Sequence, residues 1–537
     1  MTITMAKRPA AGRTPFRLAP LAAAALLLAA APAHADWRVT PTLMVSETWT
    51  DNIDLAPDEQ AHSDLVTQVS PGIAVTSRSR RLTVDASAQF HQFAYLHNSS
   101  QGRTISGSNL RGESVSDTQR SYMGNLRGEL AQDLLYVDAY ASRGQHSISA
   151  FGPRTDGSDM FRNNNRTNVQ TWSISPYLAH SFGSFANGVL RYTRDSVESD
   201  DPVGFVKTEG ETVSAMLNSG VAFRTVGWGL SYSKQDLTGA RYGDSSIENV
   251  NASLQYILSH RLTLTATAGY DRYEFEGLGG GDEGASWSGG FIWTPSLRTK
   301  LQASAGRHYY GNTGSLLAEH RSRHTTWNIT YADTITTSRQ QFLLPSTVDT
   351  AGLLDRMFAT SYPDPIERAR VVAAYIQATG LPPALADSIN YLSNRFMRQK
   401  LLRASVAYRK GRSTAVLSAH ASRRNGLSDQ QSDSPLLGSQ SGSVNDRVNQ
   451  HGMEATYTYR INPRSNLVAA FDLDRSRSLT TDFKDYQRTV RVGLSRRYGE
   501  RLMGSVELRR RSGDYGFGSS GRAYNERSLS GSLSMTF

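Results

Sequence analysis

The closing stretch SLSGSLSMTF (Ser528–Phe537) alternates without a break. Leu529, Gly531, Leu533, Met535 and Phe537 fall on one face, and Ser528, Ser530, Ser532, Ser534 and Thr536 on the other. A period of two marks a strand with one apolar and one polar side. Such a strand needs something greasy on one side and water on the other.

The same pattern recurs upstream. Leu82, Val84, Ala86, Ala88 and Phe90 oppose Thr83, Asp85, Ser87, Gln89 and His91; Leu262, Leu264, Ala266, Ala268 and Tyr270 oppose Thr263, Thr265, Thr267 and Asp271. Each run is roughly 10–15 residues, enough for a tilted strand to cross a hydrocarbon layer. Short turns, such as those at 77–80, 182–184, 410–412 and 461–465, alternate with long polar loops at 51–63, 97–117, 146–165, 197–210, 275–284 and 425–445. Short turns at one end and long loops at the other predict an all-β fold: a large antiparallel up-and-down transmembrane β-barrel of 20–22 strands with a short helical insert. Trp49, Trp172, Trp287, Trp293, Trp327 and Tyr498 suit interfacial girdles. The terminal strand, with Leu533, Met535 and Phe537, has the form of the signal read by the outer-membrane barrel assembly machinery, Met535 standing where an aromatic is common.

Composition agrees. The 537 residues include 45 glycines and 24 tyrosines, no cysteine, and 38% hydrophobic residues. Mean hydropathy is −0.44, a polar value compatible with a barrel because half of every strand faces water. The lack of cysteine excludes a disulfide scaffold, a thiolate metal site and a cysteine nucleophile. Lys7, Arg8, Arg13 and Arg17 precede the apolar run Leu18–Ala31, and Ala33-His34-Ala35 closes it. This reads as a signal peptide over 1–35, with export to the outer membrane of a Gram-negative cell.

Strand counting gives fourteen from Trp37 to about Asp333 and seven from about Arg395 to Phe537. Twenty-one is odd, whereas bacterial barrels have an even count. Twenty-two is the expectation, with twenty as the fallback. Either Thr334–Leu344 is a further strand or the segment 334–394 crosses the lumen. Within that segment Asp364, Pro365 and Glu367 form a helix start. Ile366, Ala369, Val372, Ala373 and Ile376 then share a face, and Gly380 ends the helix. Shorter helices are expected over 351–360 and 383–394. Amphipathic helices between two strands cannot lie in lipid, so this insert is expected to plug the lumen, cap one mouth or dock a partner. Asp364, Glu367, Arg368 and Arg370 are its gating candidates.

The order of these pieces resembles the PEP-CTERM-system (exosortase)-associated outer-membrane proteins of exopolysaccharide loci. The resemblance rests on TDNIDL (Thr50–Leu55), SPGIAV (Ser70–Val75), the insert Leu353–Pro382, and NYLSNRFMRQK (Asn390–Lys400). It implies a barrel linked to exopolysaccharide export, with an anionic polysaccharide and periplasmic export components as partners. It supplies no site residues.

Chemistry is sparse. GLGGGDEG (Gly277–Gly284) lacks the Lys of a phosphate loop. His320 and His324 read as one strand face without a carboxylate to complete a metal site, so neither a metal nor another cofactor is expected, and no combination demands an enzyme. Charge is more informative, being acidic up to residue 394 and strongly basic after it. Alternation turns Arg403, Arg409, Arg491, Arg509 and Arg511 toward the lumen, opposite Leu402, Val492 and Leu508. A cation facing lipid at the midplane would cost ~2–4 kcal/mol. Placement of many arginines at the membrane edge, against lipopolysaccharide phosphates, stays open at this point. Basic residues interleaved with apolar ones do not make a nucleic-acid surface. The sequence thus leaves a channel, a non-conducting scaffold and, least supported, a barrel enzyme.

Overall fold

The computed structural model describes residues 36–97, 118–152, 161, 165–200, 207–239, 244–275, 282–343, 391, 393, 395–427, 444–517 and 522–537. The leader 1–35 and most of the insert, including Asp364, Glu367, Arg368 and Arg370, lie outside them. The strands are β1 (Asp36–Thr50), β2 (Asp64–Arg78), β3 (Leu82–Tyr95), β4 (Thr118–Ala131), β5 (Leu135–Ser147), β6 (Arg166–Phe182), β7 (Ala186–Ser199) and β8 (Thr208–Ser219). They continue with β9 (Val226–Gly239), β10 (Ser245–Ser259), β11 (Leu262–Phe275), β12 (Asp282–Ser296), β13 (Thr299–His308), β14 (Gly311–Arg321) and β15 (Thr325–Thr336). After a short helix α1 (Ser338–Leu343) come β16 (Met397–Lys410), β17 (Ser413–Gly426), β18 (Arg447–Asn462), β19 (Ser465–Ser478), β20 (Phe483–Arg497), β21 (Leu502–Phe517) and β22 (Arg522–Thr536).

Every strand pairs antiparallel with the next, and Thr42–Thr50 of β1 pairs with Ser528–Thr536 of β22. The ring is therefore closed and 22-stranded, with no edge left to satisfy. Period-two alternation explains the wall. Leu230, Leu254, Trp287, Leu508, Leu533 and Phe537 are exposed on the outer surface, and the residues between them face inward. Trp49, Trp287, Trp293, Trp327 and Tyr498 are exposed outside as girdle residues should be, whereas Trp172 is half-buried. The turns are tight where a left-handed residue permits it, as at Gly411, whose φ of 59° links β16 to β17.

Three sequence expectations change. Fifteen strands precede the insert, not fourteen, because β13 and β14 are short and joined by Tyr309 and Tyr310 alone. That hairpin has no long loop to announce it. Thr334–Leu344 is not a further strand: Thr334–Thr336 complete β15 and Ser338–Leu343 turn into α1. His320 and His324 do not share a strand either, since β14 stops at Arg321 and His324 sits in the turn before β15. His324 Nδ1 there meets the Arg409 carbonyl at 3.1 Å, while His320 meets Thr299 Oγ1 at 2.9 Å.

The buried apolar clusters are small and gather at the loop end. Val169 and Val197 pack with Phe342 of α1; Ala150, Phe151, Tyr391, Met397, Val444 and Val448 form a second cluster, and Leu237, Ile247 and Phe396 a third. Beside them Arg398 covers the short β13–β14 hairpin. It donates to the carbonyls of Tyr310 (3.0 Å) and Asn312 (2.6 Å) and pairs with Asp333 at 2.7 Å.

Candidate functional site: the lumen mouth and its cationic wall

Helix α1 leaves the loop end of β15 and enters the mouth of the barrel. Its residues reach walls that stand nearly half a circuit apart in the ring. On one side Arg339 forms an ion pair with Asp195 of β7, both side chains buried, and Gln340 Nε2 donates to Gln235 of β9 at 3.2 Å. Phe342 packs on Val169 and Val197, with the His146 ring edge-on at 4.8 Å. On the other side Gln341 bonds Gln399 of β16 and accepts from Arg424 of β17 at 3.0 Å. Ser338 Oγ donates to the Tyr391 carbonyl at 2.6 Å, and Arg424 lies over the Tyr391 ring at 5.2 Å. Tyr391 itself bridges to Ser147 at the end of β5 and donates to the Asn445 carbonyl at 3.3 Å. A six-residue helix is too short to be stable alone; these wall contacts hold it.

The wall from β16 to β22 carries the inward arginines. Arg403 and Arg409 are half-buried on the lumen side of β16, where Arg403 stands across from His420. Arg491 pairs with Asp472 at 3.3 Å. Arg509 and Arg511 are sealed from solvent around Glu526, at 3.9 and 3.4 Å, and Arg509 also donates to Ser528 at 3.1 Å. Thr50 of β1 donates to the same Glu526 at 2.9 Å, so this cluster ties the closing seam. Arg509 and Arg511 are thus structural, whereas Arg403 and Arg409 remain within reach of a solute. Leu533, Met535 and Phe537 lie outward, and the Phe537 amide donates to the Pro41 carbonyl at 3.0 Å.

Near the turn end the lumen side of β4–β7 holds a second arrangement. Asp138 receives Arg127 and Arg191, each at 3.0 Å. Arg191 lies 4.1 Å over the Tyr177 ring, which stacks on Tyr136 at 5.2 Å. In β2–β4, Ser70 Oγ meets His91 Nδ1 at 2.8 Å and Ser121 Oγ meets His91 Nε2 at 3.1 Å. The imidazole nitrogens face neutral partners there, the Gln68 amide included at 3.2 Å, and among the described residues no carboxylate orients the ring as a base. No group of three metal-binding side chains occurs among the described residues.

Sequence reasoning missed Arg339, Asp195, Arg424, Tyr391 and Glu526. A lone Arg in a six-residue helix has no periodic signal, and its partners lie far away in the chain.

No protein-family model matches this sequence, and no curated protein matches it. Solved structures that resemble it are outer-membrane proteins. The FrpB iron transporter of Neisseria meningitidis is 12% identical, with 93% of this chain and 82% of that one covered at a TM-score of 0.46. A ferric enterobactin receptor mutant (PfeA) of Pseudomonas aeruginosa is 11% identical, covering 93% and 81% at 0.47. OpdK of Pseudomonas aeruginosa, solved with vanillate, is 10% identical, covering 93% and 99% at 0.34. The closed wall and its apolar outer surface make this chain an outer-membrane β-barrel.

Proposed function

We propose that the barrel is a conduit for an acidic exopolysaccharide, closed at its outer mouth by α1. The observation that carries this reading is the chemistry of the lumen. Much of the wall presents small hydroxyls and amides, such as Asn249, Asn251, Thr265, Thr267, Ser288 and Ser304. The adjoining wall at β16 presents the half-buried Arg403 and Arg409. A polyhydroxylated chain exchanges hydrogen bonds with the first surface, and its carboxylates or other anionic groups meet the second. The stacked Tyr136–Tyr177 pair near the turn end offers an aromatic face to a sugar ring.

Planar-bilayer recording tests this. The wild-type barrel should conduct little, and Arg339→Ala should open it. Current through the open form should be blocked by oligogalacturonate, a polyanion, and much less by dextran oligomers of equal length. Equal block by the two would remove the acidic-polymer assignment. The second reading, a non-conducting scaffold, draws on how many contacts hold α1. A barrel that stays silent after α1 is released would favour it.

A further inference from the structure

The outward side chains of β17–β22 change character at one level. Below it, toward the turn end, they include Leu417, Met453, Leu473, Val490, Leu508 and Leu529, and no charge interrupts them until the turns. At that level each strand carries one exposed basic residue: Arg423, His451, Arg475, Arg488, Arg510 and Arg527 in strand order. The stretches from these residues to the turn end are 413–423, 451–461, 465–475, 488–497, 502–510 and 527–537. Each is about ten residues, the length a tilted strand needs to cross the hydrocarbon layer. Register places His451 opposite Arg475 and Arg510 opposite Arg527. The band therefore follows the outer edge of the hydrocarbon around about a quarter of the wall.

Several outward cations elsewhere on the wall have carboxylates beside them, whereas among the described residues Arg120 and Arg307 stand exposed singly, outside any band. Arg143 pairs with Asp200, Arg194 with Glu209 at 3.2 Å, Lys234 with Asp236 at 3.6 Å, and Arg272 with Glu283 at 3.7 Å. Arg477 and Lys484, one step above the band, share Asp482 at 2.7 and 3.4 Å, and the hydrogen bond from Arg477 holds that carboxyl below the usual carboxylate range. Among the described residues Arg423, Arg475, Arg510 and Arg527 form no ion pair with a carboxylate; Arg488 lies over the Phe471 ring at 5.4 Å. A cavity of about 640 Å³ opens on the same face. Ala419, Met453 and Leu473 line its apolar part, with His451, Arg475 and Lys484 among its polar lining, which also includes the Asp485 and Asp514 carboxylates.

We propose that this face binds an outer-leaflet phosphorylated glycolipid of the lipopolysaccharide class. Its phosphates sit on Arg423, Arg475, Arg510 and Arg527, and an acyl chain lies along Ala419, Met453 and Leu473. Guanidinium matches phosphate bidentately. Cations at a hydrocarbon edge need an anion, and the described residues supply none to these four. The site is outside the wall and independent of what passes through the lumen.

The test uses the full-length barrel, delipidated in mild detergent and titrated with bisphosphorylated lipid A, with native mass spectrometry counting the bound copies. Parallel arms use the same glycolipid without phosphates, phosphatidylglycerol, and inorganic phosphate as a competitor. Bisphosphorylated lipid A should bind tightest and resist displacement by inorganic phosphate. The triple variant Arg423→Gln/Arg475→Gln/Arg510→Gln should bind it roughly a hundredfold more weakly. A control variant, Arg143→Gln/Arg194→Gln, should bind as the wild type does. If the triple variant fails to assemble, Arg475→Gln and Arg510→Gln separately should each weaken binding about fivefold. Unchanged binding in the variants, equal binding of dephosphorylated glycolipid or phosphatidylglycerol, or pairing of barrels through this face instead would overturn the proposal.

Discussion

Arg339 of α1 and Asp195 of β7 form an ion pair in which both side chains are almost completely withdrawn from solvent. Removing one partner strands the other as a buried charge, at a cost of about 3–5 kcal/mol, while neutralising both costs far less. Asp195→Asn should therefore loosen α1 more than the double variant Asp195→Asn/Arg339→Gln. The expected readout is a higher open probability in planar bilayers for the single variant. If the double variant opens the barrel more, the pair is not the fastening.

Glu526 is the shared acceptor of Arg509, Arg511 and Thr50 where β22 meets β1. Glu526→Gln leaves two buried guanidinium groups around a neutral amide. Stability should fall by about 3–5 kcal/mol, read as a lower urea midpoint for the heat-modifiable barrel band. Conductance of molecules still folded should not change, since these side chains do not reach the open lumen.

Leu533 and Ser532 are neighbours on opposite faces of β22. Leu533→Arg puts a cation into lipid and should destabilise by ~2–4 kcal/mol, whereas Ser532→Arg, inward, should cost much less. Deleting Phe537 should lower the amount of barrel assembled in cells while leaving refolding in detergent largely intact. Equal losses in both settings would assign Phe537 to stability rather than to recognition by the assembly machinery.

The wall was legible because alternation is local. Leu82 to Phe90 and Leu529 to Phe537 reveal their apolar face without reference to any other strand, and the closed ring follows from the number of such runs. What stayed hidden depends on distance in the chain. The SRQQFL helix (Ser338–Leu343) is too short and polar to show a period, and its partners Asp195, Gln235, Gln399 and Arg424 come from four strands. The Tyr309–Tyr310 hairpin lacked a long loop, and one strand went uncounted. Alternation placed the arginines on faces, but only register distinguishes the cations paired with Asp200 and Glu209 from Arg475 and Arg510, which have no carboxylate partner among the described residues.

The inward arginines themselves should separate into two kinds. Arg509 and Arg511 are sealed, with Arg511 only 1% exposed, while Arg403 and Arg409 are half-buried. A permeating ion feels a charge it can approach within about one Debye length, ~8 Å at physiological salt. In the opened Arg339→Ala background, a KCl gradient should give an anion-selective reversal potential. Arg403→Gln/Arg409→Gln should move it toward zero, more at low salt than at 1 M, with the urea midpoint nearly unchanged. Arg511→Gln should do the reverse, lowering the midpoint and leaving the reversal potential in place. If Arg511→Gln instead shifts selectivity and Arg403→Gln/Arg409→Gln does not, the permeation path runs along β21–β22 and the division by burial fails.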